Sequence, residues 1–377
     1  MKFRIDRQGF ADAVTTVARR LPNRPAVPVL AGVRLTATDS LLEVAGFDYE
    51  VSTVVHAQAD VLDDGVVIVS GKLLADITKA LPHKPVEVTY EGSTVRIVCG
   101  TAKFSLPTLN TDDYPKLPAM PQTTGELPVD LFAEAVTQVA TAAGKDESLP
   151  MLTAIKTHVV DGVLTLAATD RFRLAVRKVT EWSDEIDALL PARTLGDVAR
   201  TLPAGLSTVG FGADAGLWGV DTGSVHTTMR MLDVEFPQYQ RLIPTEHSSV
   251  ALVDVASLVS VVKRAGLVAE RGAQVRLSFT QGQVTVSAGG SDAGSAEESL
   301  PVDYVGEDLT IGFNPGYLLD GLHTITVERV LFGFTTSARP ATLRPYDGDL
   351  NSLAAGEGFI APNTDFVYLI MPVRLAT

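Results

Sequence analysis

The sequence predicts an α+β protein of three similar domains, each with two helices on antiparallel sheets. Three observations predict it: a strand-then-helix phrase that opens three times, a second such phrase inside each copy, and β-branched runs that outnumber the helical stretches. The first phrase is Lys2-Phe3-Arg4-Ile5 followed by Phe10, Val14, Val17 and Leu21 at helical spacing. It returns as Leu127-Pro128-Val129-Asp130 before Leu131, Phe132, Ala135, Val136 and Val139, and as Val250 to Asp254 before Val255, Leu258, Val261 and Val262. The second phrase is Val66 to Val69 then Lys72 to Pro82, Leu189-Leu190 then Arg193 to Pro203, and Leu309 to Ile311 then Asn314 to Ile325. Leu74, Leu195 and Leu318 fall at equivalent places, about 120 residues apart, which is a domain-sized period.

Helices are therefore expected near 8–24, 70–82, 130–145, 191–203, 254–271 and 314–325. Between the first two, Gly32 to Ala37, Leu41 to Val44, Val51 to Ala57, Val86 to Tyr90 and Thr94 to Val98 read as strands, joined by hairpin-length turns such as Thr38-Asp39-Ser40 and Glu91-Gly92-Ser93. Asp113-Tyr114-Pro115 and Glu235-Phe236-Pro237 close the first two copies. Residues 119–125 and 244–248 read as linkers, so the domains are expected at 1–121, 122–246 and 247–377.

Composition excludes several classes. A hydrophobic fraction of 46% supplies core material for three domains, while no apolar run is long enough to span a bilayer and the start lacks a signal-peptide pattern, so a cytoplasmic protein is expected. The single cysteine, Cys99, sits in a strand-like run and excludes an internal disulfide and a cysteine-based zinc site. Gly210-Phe211-Gly212-Ala213-Asp214-Ala215-Gly216 has the wrong spacing for a dinucleotide loop and reads as an ordinary loop. Asp221-Thr222-Gly223-Ser224 resembles half of an aspartic-protease signature, yet no second copy exists to share its proton, and a hairpin turn is the plainer reading. An aspartate-dependent hydrolase using Asp221 stands as the alternative function. The histidines, at 56, 83, 158, 226, 247 and 323, show no metal-ligand spacing. No cofactor is expected.

A net charge of −14 argues against a surface that coats nucleic acid everywhere, but the charge is uneven. The six expected helices sum to roughly +3, leaving roughly −17 elsewhere. Their basic residues include Arg19, Arg20, Arg24, Lys72, Lys79, Lys145, Arg193, Arg200, Lys263, Arg264 and Arg271. Singly these read as solvated helix faces; together they suggest one face suited to a polyanion.

Across its full length the chain resembles the bacterial DNA polymerase III β subunits, the sliding clamps. The resemblance is carried by Met1-Lys2-Phe3, Asn23 to Leu30, Lys103-Phe104-Ser105-Leu106, Ala168 to Ala175, Phe236 to Pro244, Ile311 to Asn314 and Met371 to Leu375, in this order on a threefold repeat. It implies a DNA-clamp fold and a non-catalytic processivity factor. Two copies would join head to tail into a homodimeric, pseudo-sixfold ring around duplex DNA. Twelve helices at interaxial distances of about 8–10 Å would enclose a bore of order 20–28 Å, wide enough for a duplex. Binding would then be topological, with weak contacts to phosphate and no base readout.

By the same resemblance, Arg24, Lys72 and Arg193 would face DNA, and helix charge adds Lys145, Lys263 and Arg264. The subunit interface would join Lys103, Phe104 and Leu106 to Leu267, Val268, Glu297 and Glu298, with Lys103 facing the two acids; the plainer reading of Phe104 and Leu106 is a core strand. A groove for short linear peptides from the polymerase III α subunit, the clamp loader, other polymerases and repair proteins would use Leu152, Thr169, Arg171, Phe172, Arg173, Leu174, Pro237, Arg241, Leu242, Leu369, Met371, Pro372, Val373 and Arg374. Without the resemblance, Leu369 to Leu375 reads as a last core strand. Two departures stand out: Arg171-Phe172 where many relatives have Gly-His, and an end at Ala376-Thr377 together with a long loop at 347–365 that bears on access.

Overall fold

The computed structural model describes residues 1–182, 185–203, 205–268, 274–290 and 294–374. The chain forms two compact units, one of residues 1–130 with 197–231 and the other of 131–196 with 232–377. Arg271, Leu375, Ala376 and Thr377 lie outside the described residues.

Six α-helices occur among the described residues: α1 Arg7–Ala18, α2 Gly71–Ala80, α3 Val129–Ala140, α4 Ala192–Arg200, α5 Val255–Ala265 and α6 Pro315–His323. Their starts follow capping chemistry. The Asp6 carboxylate accepts from Gly9 N at 2.9 Å, Asp254 from Ser257 N at 2.7 Å, and Asn314 from Gly316 N at 2.9 Å, with Pro315 supplying a ready-made φ at the first position of α6. All are shorter than the apolar spacing predicted. The stripe continues after the backbone has left the helix: beyond α1 the chain turns through short-range bonds from Arg20 and Leu21, and Leu21 still packs on the core. Arg19, Arg20, Arg24 and Lys145 are therefore not helical.

In the first unit thirteen antiparallel strands form one continuous ladder. Strand Val225–Arg230 of the second repeat pairs with Val51–Gln58 of the first, from Val225 opposite Val55 to Met229 opposite Val51. Phe3, Phe10, Leu35, Leu42 and Leu74 are fully buried beneath α1 and α2. Cys99 is buried in its strand as expected.

Of the run Gly210 to Gly216, read as a loop, residues 210–214 belong to strand Thr208–Asp214 and only Ala215 and Gly216 form a turn. The glycines serve a close approach: the connecting segment crosses this sheet, and a Cβ at Gly212 would stand 2.1 Å from Gln122 O and one at Gly219 2.6 Å from Met120 Cε.

The second unit carries a nine-stranded antiparallel sheet, a four-stranded one and a short three-stranded one. Here strand Arg173–Glu181 of the second repeat pairs with Phe366–Ile370 of the third, from Arg173 opposite Ile370 to Arg177 opposite Phe366. Phe279, Phe332, Phe334 and Tyr304 pack ring on ring in the third repeat, with centroids 5.0 to 6.1 Å apart. The expected long loop at 347–365 is instead a packed element: Leu350 and Leu353 are buried against Val250, Leu252 and Leu331. Glu246–His247, inside the expected second linker, pairs with Gly358–Ile360.

Candidate functional site

The residues expected from sequence to line a groove all lie in the second unit, and the structure divides them into a buried and an exposed set. Leu174 and Leu369 face each other across paired strands and are 3% and 4% exposed. Leu152 and Thr169 are also buried, so these four make the floor. Phe172, Leu242, Met371 and Val373 are large apolar side chains left exposed, at 53%, 56%, 42% and 39%. Arg171, Pro237, Arg241 and Arg374 are exposed beside them, and Pro372 is half-buried. Four large apolar side chains exposed near buried leucines are unusual on a charged protein, and such patches are where interaction surfaces are sought.

Local chemistry explains the shape. Asp170 Oδ1 accepts from Phe172 N and Arg173 N, both at 3.0 Å, closing a turn in which Arg171 takes φ 78°. The Thr169 hydroxyl donates to Arg173 O at 2.7 Å. Met371 N donates to Phe172 O and Val373 N to Gly312 O, each at 2.8 Å, so the segment 371–373 is pinned by backbone on two sides.

Arg173, expected among the groove residues, is 7% exposed and spent within the fold. It pairs with Asp170 at 3.0 Å and Asp320 at 2.5 Å and lies 4.5 Å from the Tyr317 ring centroid. Burial opposes its charge, but the Tyr368 hydroxyl and the two carboxylates outweigh it, and the guanidinium titrates above its ordinary range. The Phe172 ring stacks on Tyr317, centroids 6.0 Å apart. Tyr317, Asp320 and Tyr368, whose hydroxyl donates to Tyr317 O at 2.9 Å, were not found from sequence. Their one available signal was position: Tyr317 and Asp320 are one turn apart at the start of α6.

Arg24, Lys72, Lys145, Arg193 and Lys263 are exposed, and no ion pair engages them among the described residues. Arg264 differs, because it grips Glu298 with two hydrogen bonds of 2.9 and 2.6 Å. That contact compensates the charge expected to meet DNA and holds Glu298 within its own chain, where an acid facing Lys103 had been expected. Arg20 is also committed internally, to the hydroxyls of Thr53, Thr227 and Thr201 at 3.0, 2.8 and 3.1 Å. Lys103 and Phe104 are exposed, and Leu267 is 83% exposed with Val268 half-buried. Leu106, expected at the same edge, is 1% exposed in the first unit's core; it stiffens the strand from inside and offers no surface.

Asp221 sits in a hairpin turn, its Oδ1 accepting from Gly223 N at 2.7 Å and lying 3.3 Å from His226 Nε2. Among the described residues no cluster of His, Cys, Asp or Glu could hold a metal ion, and no helix is long and apolar enough to cross a membrane.

Comparison with known proteins bears on the whole chain. Residues 1–118, 126–238 and 240–354 match the N-terminal, central and C-terminal domains of the DNA polymerase III beta subunit. The chain is 44% identical over 386 residues to the beta sliding clamp of Streptomyces coelicolor, covering 100% of both, and 26% identical to that of Bacillus subtilis, covering 99% of this chain and 100% of the relative. Its fold is similar to the crystal structure of the Bacillus subtilis polymerase sliding clamp, with a TM-score of 0.91 at 25% identity, and to that of a Pseudomonas aeruginosa clamp bound to griselimycin, with a TM-score of 0.90 at 26% identity, each covering 100% of both chains. The chain belongs to the DNA polymerase III beta subunit family, the beta sliding clamps, non-catalytic processivity factors of DNA replication. Nothing supports the hydrolase alternative.

Proposed function

We propose that two copies of this chain close head to tail into a ring that encircles duplex DNA in the cytoplasm, and that the groove of each second unit tethers partners through short linear peptides. The observation that carries the tethering role is the groove itself: four exposed apolar side chains, Phe172, Leu242, Met371 and Val373, around a Leu174 and Leu369 floor. Its partners would be the polymerase III α subunit, the clamp loader, other polymerases and repair proteins. Met suits such a surface because its flexible thioether repacks around different side chains.

Closure is supported by two open strand edges. Ala102–Leu109 pairs along one side with Thr94–Cys99 but along the other only through Thr108 and Leu109, and Gly294–Pro301 is the outer strand of its sheet. Open edges are ready to pair with another chain, and a head-to-tail contact that closes makes a ring. Lys103, Phe104, Leu267, Val268 and Glu297 would surround the contact. Arg24, Lys72, Lys145, Arg193 and Lys263, exposed and without an ion pair among the described residues, would meet phosphate loosely, which permits sliding.

A clamp loaded by its loader should stay on circular duplex and run off linear ends. Equal retention on both would sink the ring, as would a monomeric mass at every concentration in a dilution series. For the groove, Met371→Ala with Pro372→Ala should weaken binding of a polymerase-derived peptide at least tenfold, and unchanged affinity would remove the site.

A further inference from the structure

We propose that Arg344 and His247 form a binding site for a small inorganic anion of chloride size, enclosed between strand Ala341–Pro345 and the segment that leads into the third repeat. Arg344 is 7% exposed and His247 3%. Thr342 and Arg344 are alternate residues of the strand and so share one face of the sheet. The His247 ring lies on that face, against Gly333, the cross-strand partner of Thr342; a Cβ at Gly333 would stand 2.4 Å from its Nε2.

Each side chain has a buried nitrogen with no partner among the described residues. His247 Nε2 is 3.3 Å from the Thr342 hydroxyl, and with that hydroxyl donating, the ring proton sits on Nδ1, which has no partner. Arg344 donates Nη1 to Thr364 Oγ1 at 3.1 Å, while its buried Nε has no acceptor. No carboxylate among the described residues pairs with it. Arg173, buried to the same degree, has two carboxylates, and Arg34 has Glu43 at 2.6 Å. Burial pulls Arg344 down to about 10, still charged at neutral pH. Burial, then the neighbouring Arg344, pull His247 down to about 4, so it stays neutral.

One uncompensated positive charge and two unspent donors thus share a buried layer. An unpaired charge in such surroundings is costly, and buried charges are normally paired. A monatomic anion supplies the missing charge and accepts from both groups. The small exposure of both side chains selects it over a carboxylate reaching in from a partner. The site uses none of the groove residues, so it stands or falls apart from the tethering role.

The test is thermal unfolding of the full chain in chloride, with gluconate holding ionic strength constant, together with a crystal grown in bromide. The melting temperature should rise saturably with chloride, the rise should be absent in Arg344→Gln, and bromide should give an anomalous peak within hydrogen-bonding distance of Arg344 Nε. Identical curves in chloride and gluconate overturn the proposal, as does a chloride response that persists in Arg344→Gln. Should that variant fail to fold, the wild-type crystal decides: no bromide peak beside Arg344 and His247 overturns it too.

Discussion

The turn from Asp48 to Val51 in the first unit and the turn from Asp170 to Arg173 in the second are the same piece of backbone carrying different side chains. In the first, Asp48 Oδ1 accepts from Glu50 N at 3.0 Å and Val51 N at 2.7 Å; in the second, Asp170 Oδ1 accepts from Phe172 N and Arg173 N. The residue after each aspartate is held at positive φ, 76° for Tyr49 and 78° for Arg171. Each turn is tied to the following repeat by backbone, through Arg230 N to Glu50 O at 2.9 Å and Met371 N to Phe172 O at 2.8 Å. The side chains then diverge. Ser52 faces Thr228 where Leu174 faces Leu369, and Met120 of the connecting segment lies 3.7 Å from the Thr228 hydroxyl. One seam is polar and covered by its own chain; the other is apolar and open. The exposed apolar surface of the second turn needs no new backbone, only substitutions on a repeated scaffold.

The largest break in this comparison is expected at the fourth turn residue. Arg173→Met strands Asp170 and Asp320 and should cost about 3–5 kcal/mol in urea unfolding, whereas Val51→Ala at the matching place should cost about 1 kcal/mol. Similar losses would mean that the second turn does not depend on its ion pairs. Next comes His247, in the segment that leads into the third repeat beside the second seam. His247, held near pH 4 against an ordinary 6.5, is neutral when folded, so the unfolded chain binds the extra proton and stability must fall as pH drops through that window. The loss should reach about 3 kcal/mol, and His247→Met, which places there the residue type that covers the first seam, should flatten the pH dependence measured by denaturant titration.

Smaller effects test whether the turns are equivalent. Left-handed backbone costs an L-residue about 1–2 kcal/mol, partly offset by the entropy of glycine, so Tyr49→Gly and Arg171→Gly should each stabilise by up to about 1 kcal/mol. A gain at one and a loss at the other would show that different forces hold them. The smallest expected effect is none: Glu50→Phe copies the rim aromatic into the first seam but leaves Ser52 and Thr228 below it, so calorimetry should still count one peptide per chain.

Much of this was legible before the structure. Phe10, Val14 and Val17 predicted a buried helix face because burial enforces the period, and the Asp6 and Asn314 caps act through local geometry. Glycines misled, because Gly210 and Gly212 serve a close approach by residues more than eighty positions away, which no local rule can see. Leu106 and Phe104 share one strand face and one residue class, and only packing separates core from edge. Arg173 was read as a groove residue and Arg264 as a DNA contact, and their pairing with Asp320 and Glu298 was not legible because those partners are distant in sequence.

The sequence alone determined the threefold repeat, the α+β class and the family, since periodicity and ordered motifs are written along the chain. Tertiary structure decided which repeated turn is apolar and open, which arginines are spent inside the fold, and where a buried charge stands without a counter-charge among the described residues. Those outcomes depend on partners brought together by strand pairing across repeats, and pairing energies belong to the folded state rather than to any single segment.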